Sequence, residues 1–168
     1  MINESERKLR NKIRNLIVLF IIGLVLSGIT AFPIETQLCI ANDNINLFPG
    51  FLRNWIGQVY NAVHNTNKNY PYLSYGTDWL AFAHIVIAVA FIGPLRDPIK
   101  NIWVIQFGMI ACMMVFPLAL IAGHIREIPF YWRLIDCSFG VFGFILLYFC
   151  YKNIKKLEEF KAYKRPAN

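Results

Sequence analysis

Charge is scarce in this chain, and its scarcity excludes most water-soluble folds. Only 16% of the 168 residues are charged, against about 25% in an ordinary soluble domain. The charges avoid four long apolar runs, at 16–32, 79–95, 102–122 and 132–151. A soluble four-helix protein would show a polar face on each such helix, and these runs show almost none. Paired cysteines are missing too. The four cysteines include no CxxC spacing, which removes zinc clusters and thioredoxin-like redox chemistry. Quinone-linked disulfide chemistry would need two thiols on one side of the membrane, and only Cys39 and Cys137 qualify. Histidine is equally thin: His64, His84 and His124, with no HxxxH pair, a poor basis for a metal site. The first run exceeds a secretory signal core and no clear small-x-small cleavage site follows it, so it reads as a retained anchor.

What is present is 57% hydrophobic and 15% aromatic. Four runs of 17 residues or more meet the length a helix needs to cross a bilayer. The sequence predicts an all-α integral membrane protein of one domain, a four-transmembrane-helix bundle with an extracytoplasmic amphipathic segment between the first and second spans. Basic residues orient it. Thirteen of the seventeen lysines and arginines fall in the tails 1–15 and 152–168 or between the second and third spans; Arg53, Lys68, Arg126 and Arg133 lie on the other side. The richer side is cytoplasmic by the positive-inside rule, which places both termini inside a bacterial-type inner (plasma) membrane. The net charge of +7 then reflects topology and attraction to anionic lipid heads, and no nucleic-acid partner is implied.

In the outer segment 33–77, Phe51, Leu52, Trp55, Ile56, Val59, Tyr60 and Val63 recur on one helical face. Pro49 stands just ahead, so a helix over about 50–65 is expected to lie in the interface or cap the bundle mouth. The NTNKNYPYLSYGT stretch after it reads as a loop on the membrane surface, with Asp78 as the cap of the second span. In the first span Gly23, Ser27 and Ala31 form a small-residue row suited to close packing. In the second, Ala81, His84, Ala88 and Phe91 share a face that points the imidazole inward. In the third, Gln106, Met113, Pro117 and His124 fall on one stripe that should face protein, with a kink at Pro117. In the fourth, Arg133 and Asp136 are spaced to pair, and Asp136 shares a side with Gly140, Gly143 and Leu147. Two turns, IGPLRDPI and AGHIREIPF, repeat a Gly-x-aliphatic-Arg-acid pattern; convergent turn chemistry, with glycine ending each helix left-handed, is favoured over an inverted repeat.

Ionisable groups at a membrane boundary mark function, topology or local pairing. Glu35, Asp78, His84, His124, Arg126, Arg133 and Asp136 all fall at the outer level, and together they suggest an outward-facing polar cup. The leading expectation is a non-enzymatic protein that binds a small ligand or lipid head group there, or serves as an accessory subunit of a larger membrane complex or homo-oligomer. Arg126 and Arg133 favour an anionic group. One alternative is a redox protein holding b-type haem between His84 and His124. Another is a metal-dependent membrane enzyme using His64, His84 or His124 with Asp78, Glu35 or Asp136.

The orientation is directly testable. In intact cells a membrane-impermeant thiol reagent should reach Cys39, while Cys150 should react only after lysis. Labelling of Cys150 from outside would overturn the topology.

Overall fold

The computed structural model describes residues 4–163; Lys164 and Arg165, counted in the basic tail above, lie outside them. The chain is about 90% helical, with no strand among the described residues. The helices are α1 (Glu4–Ala31), α2 (Ile34–Asp43), α3 (Gly50–Asn69), α4 (Pro71–Ala90), α5 (Ile92–Arg96), α6 (Ile102–Pro117), α7 (Gly123–Ile125) and α8 (Phe130–Tyr163). A single 3₁₀ turn, Ile45–Leu47, joins α2 to α3, and a π-helical turn, Leu118–Ala122, joins α6 to α7. Four helical stretches are long and apolar enough to cross a membrane: Glu4–Ala31, Pro71–Arg96, Ile102–Ile125 and Phe130–Tyr163. Large apolar side chains point outward along them, among them Leu19, Leu26, Leu80, Val89, Met114 and Phe139.

The chain forms two compact units, one drawn from Gly23–Ile87 and the other from the sequence on either side of it. The flanking unit is built on α6 and α8. Buried positions on α8 are Cys137, Gly140, Leu147, Cys150, Ile154 and Leu157, a stripe at three- and four-residue steps. Buried positions on α6 are Ile105, Gly108 and Cys112. Glycine sets how near the two helices come. A Cβ on Gly140 would stand 2.7 Å from the Cys112 carbonyl oxygen, and one on Gly108 would stand 2.6 Å from Leu147 Cδ1. Phe91 fills the space beside Gly108 and lies 4.7 Å, ring to ring, from Phe20. Ile13 and Ile17 of α1 are fully buried, and Glu6 is held by Arg10 through two hydrogen bonds of 3.0 and 3.1 Å. Within the basic extension of α8, Ile154 and Leu157 are wholly buried.

In the Gly23–Ile87 unit, α1 meets α4 at Gly28. A Cβ there would stand 2.8 Å from the Ala81 carbonyl oxygen and 3.3 Å from His84 Cβ. The expected row Gly23, Ser27 and Ala31 is not the packing face: Gly23 has nothing within 4 Å, and Gly23 and Ser27 are exposed. Gly28 follows Ile17 by eleven residues, within about 20° of one helical line, so Gly28 lies on the same side of α1 as the buried residues of its N-terminal half. The loop expected after residue 65 is absent. NTNKN completes α3, a break falls at Tyr70, and Pro71 opens α4, where its fixed φ and missing N–H suit a first turn. Asp78 therefore lies inside α4 and caps nothing. Helix α2 went unread because ten residues of mixed polarity carry little periodic signal.

The two similar turns close differently. In the first, Asn101 Nδ2 donates to the Gly93 and Asp97 carbonyls at 3.2 and 2.9 Å. In the second, the Ile128 N–H bonds the Gly123 carbonyl and the Glu127 N–H bonds the His124 carbonyl, a Schellman closure. Its left-handed residue is Glu127, at φ 57°, and no glycine among the described residues has positive φ. The expectation of left-handed glycines fails, and shared letters do not make a shared turn. Cys150 also changes the labelling test: it is fully buried, so the inner arm is better read at Lys161→Cys on the exposed tail.

Gly140→Ala should lower the thermal midpoint in detergent, costing about 1–3 kcal/mol as an overpacked contact against rigid backbone. Gly23→Ala, with open space around it, should be neutral or mildly stabilising. Equal effects of the two substitutions would show that the α6–α8 approach is not set by glycine.

Candidate functional site

The seven outer polar residues divide between the two units: Glu35, Asp78 and His84 in one, His124, Arg126, Arg133 and Asp136 in the other. Each set has its own chemistry.

Glu35 sits on α2 opposite α3. Its carboxylate accepts from His64 Nδ1 at 2.8 Å and from Asn67 Nδ2 at 2.5 Å. Asn67 in turn accepts from the Ser74 hydroxyl at the start of α4. Farther along the hairpin Tyr60 hydrogen-bonds Cys39, whose thiol lies 3.8 Å from Asp43, and Gly57 faces Asn42. The pairs 35/64, 39/60 and 42/57 advance in opposite senses, the register of an antiparallel hairpin. Its facing row on α3 is Gly57, Tyr60, His64 and Asn67, at three- and four-residue steps. Arg53 closes the connection, donating to the Phe48 and Asn46 carbonyls. Tyr60 also stacks on His64, at 5.7 Å between rings. Hydrogen bonds from Asn67 and then His64 hold the Glu35 carboxyl below its ordinary range, and the bond to Cys39 raises the Tyr60 phenol above its own.

Glu35 and His64, both named for a metal site, do meet. No third ligand joins them, and no group of three His, Cys, Asp or Glu among the described residues is placed to hold a metal ion. Asn67 and Ser74 were missed because their segment read as loop; the three-residue step from His64 to Asn67 was the available signal. His84 donates from Nδ1 to the Leu80 carbonyl at 2.8 Å, a bond within its own helix. Asp78 lines a shallow hollow with Phe32, Tyr75, Trp79 and Phe82. These three residues thus serve three separate environments.

In the flanking unit, the Schellman closure puts His124 and Arg126 on an exposed turn. Arg133, one turn into α8, lies across Gly123, where a Cβ would meet its Cδ at 2.7 Å. Its guanidinium rests 5.3 Å from the Phe130 ring centroid. One terminal nitrogen reaches only to 3.5 Å from the Leu120 carbonyl, and Nε is shielded from solvent with no partner. The expected Arg133–Asp136 pair does not form, and Asp136 has no hydrogen-bonding or ionic partner among the described residues. Helical side chains lean toward the N-terminus, which carries the arginine away from an acid that follows it. The third-span stripe is also revised. Gln106, Met113 and Pro117 line an open groove, with Met113 52% exposed. The π turn inserts extra backbone before His124 and takes it off that line.

The pH response of the hairpin follows from Glu35. Its folded pKa lies below the unfolded value near 4.5, so the stability it contributes is complete above that value and is lost as pH falls through the folded one. Thermal melts of the full chain from pH 7 to pH 3 should show an acid-side decline that Glu35→Gln flattens. Parallel declines in the two proteins would remove Glu35 as the cause.

No protein-family model, curated protein or solved structure matches this chain.

Proposed function

We propose that this chain is a multi-pass integral protein of the inner (plasma) membrane with both termini cytoplasmic, and that it binds the anionic group of a small ligand or lipid head at the outer start of α8. The role is that of a binding or accessory subunit. The four long apolar helices with outward-facing apolar side chains support the membrane placement, and the basic asymmetry supports the orientation.

One observation carries the binding reading: Arg133 Nε is withdrawn from water without an acceptor. An unsatisfied buried donor costs about 1–3 kcal/mol, more when the group is charged. An anion accepting from that edge of the guanidinium removes the cost, and two terminal oxygens suit its planar fork. His124 and Arg126, on the preceding turn, add positive or polar character nearby. Asp136 tunes the site against dianions, being uncompensated on the next turn of the same helix.

The probe is inorganic phosphate against chloride at matched ionic strength, with thermal unfolding in mild detergent as readout. Phosphate strengthens burial in any protein, so the informative quantity is the increment lost on Arg133→Gln. Saturation at about a hundredfold above Kd would add roughly 2.7 kcal/mol to the wild type, and Arg133→Lys should keep part of it. Identical phosphate responses in wild type and Arg133→Gln would defeat the proposal.

A further inference from the structure

A groove of about 490 Å³ runs between α6 and α8, and it is polar at one end only. Gln106 and Tyr151 form that end; Met109, Met113, Pro117 and Phe144 form the apolar walls. From Gln106 to Pro117 is eleven residues, about 16 Å of helix, or half of a hydrocarbon core about 30 Å thick. A partner helix would present apolar surface across the full core, whereas this groove has one polar end and the depth of a single leaflet.

Charge lies at the same end. On α8, Phe144 stacks on Tyr148 at 6.2 Å, and Lys152 Nζ sits 4.8 Å from the Tyr148 ring centroid. The ladder Phe144, Tyr148, Lys152 climbs in four-residue steps and turns about 80° away from the groove wall, so its ammonium stands beside the groove, one residue beyond Tyr151. Lys155 falls near the line of Phe144 and Tyr151 but is bound to Glu158 at 2.9 Å. Lys152 has no carboxylate partner among the described residues. Gln106 likewise has no hydrogen-bond partner among them, so its amide is available to an ester or phosphate oxygen.

We infer that the α6–α8 groove is a binding site for an anionic phospholipid of the leaflet that the basic end of α8 enters, with one acyl chain along the methionine-lined wall and the phosphate at Lys152 and Gln106. Methionine suits a chain of variable unsaturation because its flexible thioether adapts to irregular surfaces. The inference rests on the membrane placement proposed above, and it is independent of the anion site at Arg133.

The test is native mass spectrometry of the detergent-extracted full chain with dioleoyl phosphatidylglycerol or dioleoyl phosphatidylcholine. Wild type should retain phosphatidylglycerol over phosphatidylcholine by about fivefold, the preference that one lysine near an anionic head supplies. Lys152→Gln, on an exposed residue whose loss leaves the fold intact, should bring the two lipids level. Met113→Trp should block the wall and reduce retention of both. Equal retention of the two lipids by wild type, or an unchanged preference in Lys152→Gln, would overturn the site. A dimer mass that Met113→Trp abolishes, with no retained lipid, would assign the groove to a second copy and also overturn it. A chain recovered in the aqueous fraction without detergent would instead overturn the membrane placement.

Discussion

The close approach of α6 and α8 at Gly108 and Gly140 is the constraint on which the flanking unit depends. In a bilayer, association gains little from burying apolar surface, since lipid tails are equally apolar; close packing must supply the attraction. Without a Cβ at residue 140, helix backbone reaches helix backbone at the Cys112 carbonyl. The same approach lets Leu147 and Phe91 meet over Gly108. It also fixes the groove, because two helices touching along one seam leave a furrow where their outer faces diverge. Gly28 repeats the device between α1 and α4.

The parts of the fold legible in the sequence were those with strong period and length. Four helices long and apolar enough to cross a membrane could be read from apolar runs, and the inward line Gly140–Leu147 from 100° steps, because a residue at a helix seam must be small or well packed. Glycine rows without context were misleading. Gly23–Ser27–Ala31 and Gly28 satisfy the same compositional rule, and only the direction of the buried face, set by Ile13 and Ile17, separates them. The Asn-rich end of α3 failed for a different reason. Asparagine competes with helical backbone for hydrogen bonds and so signals a turn. Here the Asn67 amide is engaged by Glu35 and Ser74 instead, and Asn69 Nδ2 donates to a carbonyl of its own helix, so neither disrupts the helix.

The candidate site was legible as a set of residues and not as an arrangement. Spacing proposed an Arg133–Asp136 pair, but i, i+3 proximity is only permissive, and the order of charges matters. An acid preceding a base places both leaning side chains within reach, whereas the reverse order separates them. Arg133 leans back onto Phe130 and Gly123. At Gly123 the arginine stem, and no left-handed backbone, is what a side chain would meet: Arg133 Cδ occupies the space where a Cβ would be. The left-handed Glu127 belongs to the same closure, holding α7 against the start of α8 at a conformational cost of about 1–2 kcal/mol for a residue with a Cβ.

Whether a polar group at the membrane boundary is functional depends on what already satisfies it. In the α2–α3 hairpin the accounting is nearly complete: Glu35 has two donors, Asn67 uses both ends of its amide, and Arg53 donates to two carbonyls. Such a network orders α2 on α3 and leaves little for a ligand. At the start of α8 the opposite holds. Arg133 keeps a shielded donor without an acceptor, Asp136 stands alone on the next turn, and the flanking π segment offers a carbonyl only at the limit of reach. Polar groups near hydrocarbon are costly when unmatched, and Arg133 Nε is left unmatched. That contrast within one chain separates a polar cluster satisfied internally from one that is not, and it is the ground on which the anion site at Arg133 is proposed.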